Sequence, residues 1–383
     1  MAGTLNEHSH GLAPVQMRSE RKRSADLAEF DAITMRDEQW RYVEVSRLKG
    51  LDNLPMDEFS GDIELEAPEA VSASWIDRDH ALFGSAGLPE DRAAAAAWGA
   101  ASQAYLISIP DNFVGDQPVY LTLRGDHLEA SALHLVISAG KFAEATVVID
   151  HVGKAVLGEN VEIILADEAK VKVVSVQDWS RDSVHVSAQY SKMGRNASLE
   201  HVVVTLGGDL VRITPTVDFA APGASVDLQG AYFATAGQHL EHRPFVDHSQ
   251  PNCKSNVTYK GALQGNKAHT IWVGDVLIRK AAEGTDTYEL NRNLILTDGA
   301  RADSVPNLEI ETGEIEGAGH ASASGRFDDE QLFYLQARGI PELEARRLVV
   351  RGFLNEVIQR IGVEDLEARL TASIEDELAR SIA

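Results

Sequence analysis

Glu144-Ala145-Thr146-Val147-Val148-Ile149, Glu168-Ala169-Lys170-Val171-Lys172-Val173, Asn196-Ala197-Ser198-Leu199 and Gly223-Ala224-Ser225-Val226-Asp227-Leu228 are four versions of one phrase, and that phrase decides the fold. Their alanines stand 24, 28 and 27 residues apart. In each version a small residue leads into a strand whose alternate side chains, such as Val171 and Val173, face one interior. A period of this length suits one coil of a parallel β-helix, whose coils bury their aliphatic faces only by stacking on one another. The alternative is an antiparallel sandwich with turns every eight to twelve residues. The solenoid is the better reading, because the phrase recurs in order without strong Asn-Gly or Asp-Gly hairpin signals.

Outward from the repeat, the β pattern fills residues 105–325, a β-helix core. Residues 1–16 are polar and contain Gly and His, which predicts a disordered tail. Residues 17–104 read as a mostly helical region. Leu27, Phe30 and Ile33 recur at helical spacing, and Pro89 opens an Ala-rich helix over about 89–104. After Gly325 the period is helical again, giving a C-terminal helical domain over 326–383. Its last helix sets Leu366, Leu370, Ile374, Leu378 and Ile382 at a strict four-residue interval. Such a stripe needs a partner surface, either the solenoid end or another protein.

Charge and composition narrow the function. The chain of 383 residues has a formal net charge of −24, which opposes non-specific binding to nucleic acid or anionic membranes. The basic run Arg18–Ser24 reads as a solvated face or a flexible arm. Cys253 is the one cysteine, so no internal disulfide can form and a reducing compartment follows. No apolar stretch approaches a membrane span, and the start lacks the pattern of a signal peptide, so a cytoplasmic location is expected. The phosphate loop, the dinucleotide fingerprint, the GxSxG elbow and the CxxC and HExxH zinc patterns are all absent from the sequence. The pairs His8/His10 and His242/His248 are weak metal candidates. The expectation is therefore a scaffold and no enzyme.

One set of motifs is more specific. Tyr288-Glu-Leu-Asn291-Arg292-Asn293, Gly299-Ala-Arg-Ala-Asp303-Ser-Val-Pro306-Asn-Leu308-Glu309-Ile310, His320 and Asp328-Asp-Glu-Gln-Leu-Phe-Tyr-Leu-Gln-Ala-Arg338-Gly339 follow one another in order. Together with Cys253-Lys-Ser-Asn-Val-Thr-Tyr259 and Asp37-Glu-Gln-Trp40-Arg41-Tyr42, they closely resemble the SufB/SufD family of iron–sulfur cluster assembly scaffolds. The phrase Gly325-Arg-Phe-Asp-Asp-Glu-Gln is most similar to the SufD branch. The resemblance implies a right-handed parallel β-helix core between helical segments. It also implies a SufBCD complex in which the β-helix pairs with SufB and the C-terminal helices bind the ATPase SufC. ATP would enter only through SufC, and sulfur would come from SufS/SufE or SufU donors through the complex.

By the same resemblance, His320 is a candidate ligand for a transient iron–sulfur cluster at the SufB–SufD interface, since imidazole suits iron. Many relatives carry Cys two residues earlier, where this chain has Ala318, so SufB would have to supply the sulfur ligands. Cys253 is a second candidate, although a lone cysteine in a β-helix more often packs as a small hydrophobe. Arg338, Gly339, Arg346, Arg347 and Phe353 lie where the family docks SufC. A polysaccharide lyase or hydrolase of β-helix architecture is the rival from another class. It is opposed by the net negative charge and the missing secretion signal.

Overall fold

Segments rich in β-branched residues, separated by tight corners, build a parallel β-solenoid of about eight turns with helices at both ends of the chain. The computed structural model describes residues 21–326 and 329–380. Short strands come first: β1 (Asp57–Glu58), β2 (Asp62–Glu66) and β3 (Ser72–Asp77), then helix α1 (Arg92–Ala100) and β4 (Gln103–Ile109). β5 (Val119–Ala139) and β6 (Glu144–Leu165) each run along two faces of a coil. The coils continue through β7 (Lys170–Trp179), β8 (Val184–Met193), β9 (Ser198–Thr205), β10 (Leu210–Phe219), β11 (Ser225–Ala234), β12 (His239–His242) and β13 (Phe245–His248). They end with β14 (Lys254–Leu263), β15 (His269–Ile278), β16 (Asp286–Ile295), β17 (Arg301–Ile310) and β18 (Gly317–Arg326). Helices α2 (Asp329–Gln336), α3 (Glu342–Ile358) and α4 (Glu364–Arg380) follow.

Two parallel ladders form the long faces. One runs from the first half of β6 through β7, β9, β11, β14 and β16 to β18. The other runs from the second half of β6 through β8, β10, β12 with β13, and β15 to β17. Val171 and Val173 lie in the interior as expected, while Val174 and Val176 face outward into a separate apolar layer.

The register corrects the first interval of the repeat. Ala145 pairs with Val171, so the residue equivalent to Ala169 is Ala143, two positions earlier than the sequence phrase suggested. Ala143, Ala169, Ala197 and Ala224 form one fully buried column, and the fifth place in it belongs to Cys253. The residue before each member is left-handed: Phe142, Glu168, Asn196, Gly223 and Asn252 have φ between 51 and 79°. That conformation turns the chain sharply, and only a small side chain fits on the inside of the corner.

The N-terminal region is not mostly helical. Residues 21–104 hold β1 to β3, the start of β4 (which pairs antiparallel with β3), two single-turn 3-10 helices and the nine-residue α1. Of the expected first helix only Leu27–Glu29 winds, because Asp26 caps it and Phe30 returns to extended backbone. α1 starts later than Pro89. Asp91 is its N-cap, accepting from the Ala94 N–H at 2.9 Å. β2 and β3 were illegible because strands this short show little periodicity. The layer packs Trp40, Leu48, Leu51 and the alanines of α1 on the outer face of the second ladder.

From Arg21 on, the basic run is neither a solvated face nor a flexible arm. Arg21 bonds Glu90 and Asp275 at 2.9 and 2.8 Å, and Arg23 bonds Glu90 and Asp218 at 3.0 and 2.7 Å. These two side chains clasp the N-terminal layer to the solenoid instead of forming a free arm. The predicted tail 1–16, with His8 and His10, lies outside the described residues.

The C-terminal helices find their partner surface within the chain. Val350, Leu354, Val357 and Ile361 with Leu366, Leu370, Ile374 and Leu378 cover the outer face of the first ladder, meeting Val148, Val174, Val176, Val202, Val204 and Phe233. The stripe thus packs on the solenoid's flank, not on its end. Among the described residues no helix is long and apolar enough to cross a membrane.

Candidate functional site

The two ends of the solenoid differ. At the start, β5 is met by β1, by antiparallel β2 and by β4. At the finish, among the described residues, β17 pairs only with β15 and β18 only with β16, so two ten-residue strands keep an unpaired edge. An unpaired edge of this length is a template for another chain unless something covers it.

Alternation places the side chains of this last coil. On β16, Thr287, Glu289, Asn291 and Asn293 are buried, whereas Tyr288 between them is 46 % exposed. Their register partners on β18 are Ala318, His320, Ser322 and Ser324. His320 therefore stands on the interior face of the strand, yet it is exposed, since among the described residues no further coil covers it. Small residues surround it. Ser322 Oγ donates to Ser304 Oγ at 2.8 Å across the coil, and Ala302, Pro306 and Ala318 share the same interior face.

One coil below lies a group that sequence reasoning missed. Among the described residues, neither buried carboxylate oxygen of Glu289 has a hydrogen-bond partner, nor does Nε1 of nearby Trp272. Gly274 makes the room: a Cβ there would stand 2.3 Å from Trp272 Cη2 and 2.6 Å from Glu289 Oε1. Burial, with the charge of Asp275 added, pushes the Glu289 carboxyl up to about 8. A carboxyl raised above its ordinary 4.5 favours the folded state while protonated and loses that advantage as pH rises. Relative to Glu289→Gln, the wild type should lose about 2 kcal/mol between pH 5.5 and 7. Urea midpoints of the two proteins at both pH values test this, and an equal pH dependence would contradict it.

Deeper in the solenoid a polar file runs toward this end. Gln189 donates to Ser187 and Ser175, Gln177 donates to Ser175, and Thr205 donates to Gln177 at 2.8 Å. His242 meets the Thr205 hydroxyl at 2.9 Å and stacks on Tyr232 with ring centroids 4.7 Å apart. Tyr232 donates to Asn293 at 2.8 Å, and Asn293 donates to Ser324 of β18 at 3.2 Å. His242 and His248 thus serve separately. His248 bonds Ser255, and burial lowers both imidazoles, to about 3 and about 4.

The file begins at a buried triad of His151, Glu159 and His185, whose donor atoms lie within 4.8 Å of one another. Protons account for this cluster. Trp179 donates to His185 Nδ1 at 3.2 Å, so the His185 proton sits on Nε2, 3.2 Å from Glu159 Oε2. His151 Nδ1 faces the Val176 carbonyl at 2.8 Å, and its Nε2 faces Glu159 Oε1 at 2.9 Å. Both neighbours can only accept, so His151 is an imidazolium. Burial opposes its charge, but the Glu159 carboxylate outweighs burial and raises its pKa. Burial would likewise raise Glu159, yet His151 holds it well below the usual carboxylate range. No ring nitrogen is left to bind an ion.

The other candidate residues scatter. Cys253 is fully buried in the alanine column, and burial pushes its thiol up, away from the thiolate that binds metals. Arg338 and left-handed Gly339 are exposed after α2, with the Arg338 guanidinium 4.4 Å from the Tyr334 ring centroid. Arg346 and Arg347 pair along α3 with Glu342 and Glu344, at 2.9 and 4.0 Å. Phe353 is half-buried on the solenoid flank under the Lys260 ammonium, 5.1 Å from its centroid. Nearby, Phe333 and Tyr334 are 72 and 56 % exposed.

Residues 121–353, which span the solenoid and its open end, match the family model described as SUF system FeS cluster assembly, SufBD core domain. Over 363 residues the chain is 50 % identical to an iron–sulfur cluster assembly SufBD family protein of Mycobacterium bovis, covering 93 % of this chain and 91 % of the relative. A counterpart in Mycobacterium leprae is 48 % identical over 363 residues, covering 93 % of each chain. A second SufBD family protein, from Mycobacterium tuberculosis, is 27 % identical over 204 residues, which is 53 % of this chain and 24 % of that one.

Proposed function

This chain belongs to the SufBD family of the SUF iron–sulfur cluster assembly system, and on that premise we propose that it is a SufD-type, non-catalytic scaffold subunit working in the cytoplasm. It docks end to end with a SufB-type partner through the open edges of β17 and β18. His320, on the interior face of that edge, meets the cluster as it forms. The cluster is cargo, and its sulfur ligands come from the partner, because Ala318 replaces the thiolate and Cys253 is buried. The SufC-type ATPase binds at the exposed surface around Phe333, Tyr334, Arg338 and Gly339. The observation that carries this reading is the last coil, uncapped among the described residues: two ten-residue edges without a partner strand and an accessible imidazole between small residues. The polysaccharide-lyase alternative draws no support from the family.

The edge can be blocked without disturbing the coil. Gly317 N–H bonds back to Thr285 O at 3.3 Å, so alternation along a parallel strand sends the Ala318 N–H outward. Proline is tolerated where the missing N–H faces away from the sheet. Ala318→Pro should therefore release the SufB-type partner in co-purification and retain the ATPase. Phe333→Asp should do the reverse. Retention of both partners by both variants would place the docking surfaces elsewhere.

A further inference from the structure

We propose that Glu289 is a second iron ligand of this chain, acting with His320 so that the open end of the solenoid presents one carboxylate and one imidazole to a ferrous ion. The inference rests on the reading that His320 faces the nascent cluster. It adds a residue, a depth and a ligand set to that reading.

Three independent observations lead to it. The first is register. Glu289 and His320 are paired residues on neighbouring parallel strands and share the interior face, so their backbones are separated by one strand spacing, about 4.8 Å. The second is an unmet need. Glu289 is 1 % exposed, and neither carboxylate oxygen has a donor. Buried carboxylates are ordinarily hydrogen-bonded, paired with a cation or coordinated to a metal. The contrast within the same interior is direct. Glu159 has His151, His185 and Ser187, and Glu241 has Arg212, Arg243 and His239. Among the described residues Glu289 has no such partner, so a ferrous ion arriving from outside would supply it, taking the place of the carboxyl's proton, which leaves to solvent.

The third is access. Among the described residues only the last coil lies between Glu289 and the solenoid's mouth, and beside Gly274 and Glu289 its inward residues are small apart from His320: Ser304, Pro306, Ala318 and Ser322, with the larger Leu308 and Ile310 farther along β17. Gly274 extends the space on the opposite face, where any side chain would collide with the carboxylate and the Trp272 indole. Oxygen and imidazole donors together suit ferrous iron and leave its other positions open. In the assembled complex those positions are available to sulfur from the partner.

The test uses the full chain, purified anaerobically without a histidine tag and titrated with ferrous iron against a chromophoric chelator. Wild type, Glu289→Gln, His320→Ala and the double variant are compared. Glu289→Gln keeps the side-chain shape and removes an unpaired buried carboxyl, so its fold is retained, and a thermal melt verifies that. The expected result is a tenfold or greater loss of affinity in each single variant, with no further loss in the double variant, as for two ligands of one ion. Wild-type affinity in Glu289→Gln, with weakened His320→Ala, overturns this inference and leaves the role of His320 standing. Wild-type affinity in both overturns both. A loss in Glu289→Gln alone overturns the shared site, as does failure of the wild type to bind at millimolar iron.

Discussion

Glu159→Ala should cost about 3–5 kcal/mol, because breaking a fully buried ion pair leaves the partner charge stranded. In a chain of this size that is a fall of roughly 4–6 °C in Tm. The carboxylate is fully buried and receives His151 at 2.9 Å, His185 at 3.2 Å and Ser187 at 2.7 Å. Removing it leaves an imidazolium inside the solenoid with only the Val176 carbonyl for company. The imidazolium then sheds its proton, and the polar file loses its anchor. The pH dependence follows from the two shifts. Glu159 is depressed, so its contribution is present above its ordinary 4.5 and is lost as pH falls through the folded value. His151 is raised, so its contribution is present below 6.5 and is lost as pH rises through the folded value. The gap between wild type and variant should be widest between these two values. Urea denaturation across that window measures it, and a gap under 1 kcal/mol would mean that the triad is not an ion pair.

His320→Ala should leave the fold and both partner contacts unchanged. It should also lower the activity of iron–sulfur enzymes at least tenfold in cells that carry only the variant, the scale of loss seen when a metal site loses a supporting group. The side chain is exposed, so truncation removes little buried area. A loss of soluble protein instead of a loss of enzyme maturation would point to a structural role. Undiminished maturation would remove His320 from the site.

Much of this architecture is legible in the sequence because a solenoid repeats itself. The last three alanines of the phrase, the inward valines of β7 and the four-residue stripe of α4 from Leu366 to Leu378 are periodic features, and each folds as its period requires. Two kinds of feature escaped. Short irregular strands such as β2 and β3 gain their stability from pairing with β5 and β4, a long-range property that composition does not encode. The same holds for Arg21 and Arg23, which look like a solvated basic run until the fold brings Asp275 and Asp218 to them.

Glu289 was missed for a subtler reason. In Thr287-Tyr288-Glu289-Leu290-Asn291 the polar residues occupy the inward parity and Tyr288 and Leu290 the outward one, so the usual hydrophobic rule assigns the faces in reverse. The clue was available in the polar parity of Thr287, Glu289, Asn291 and Asn293, which reads as an internal file once the register of the coil is known. Cys253 shows the opposite case. It drew attention as a lone thiol, and the alanine column explains it as packing.

The central claim is that the uncapped coil end of this chain is one wall of the cluster-assembly site. The most direct measurement is anaerobic reconstitution on the purified assembly of this chain with its proposed SufB-type and SufC-type partners, wild type against His320→Ala, counting iron and sulfide per complex. The account predicts that both assemblies stay intact and that the variant holds less than about a tenth of the wild-type cluster. Equal cluster content in the two would contradict it.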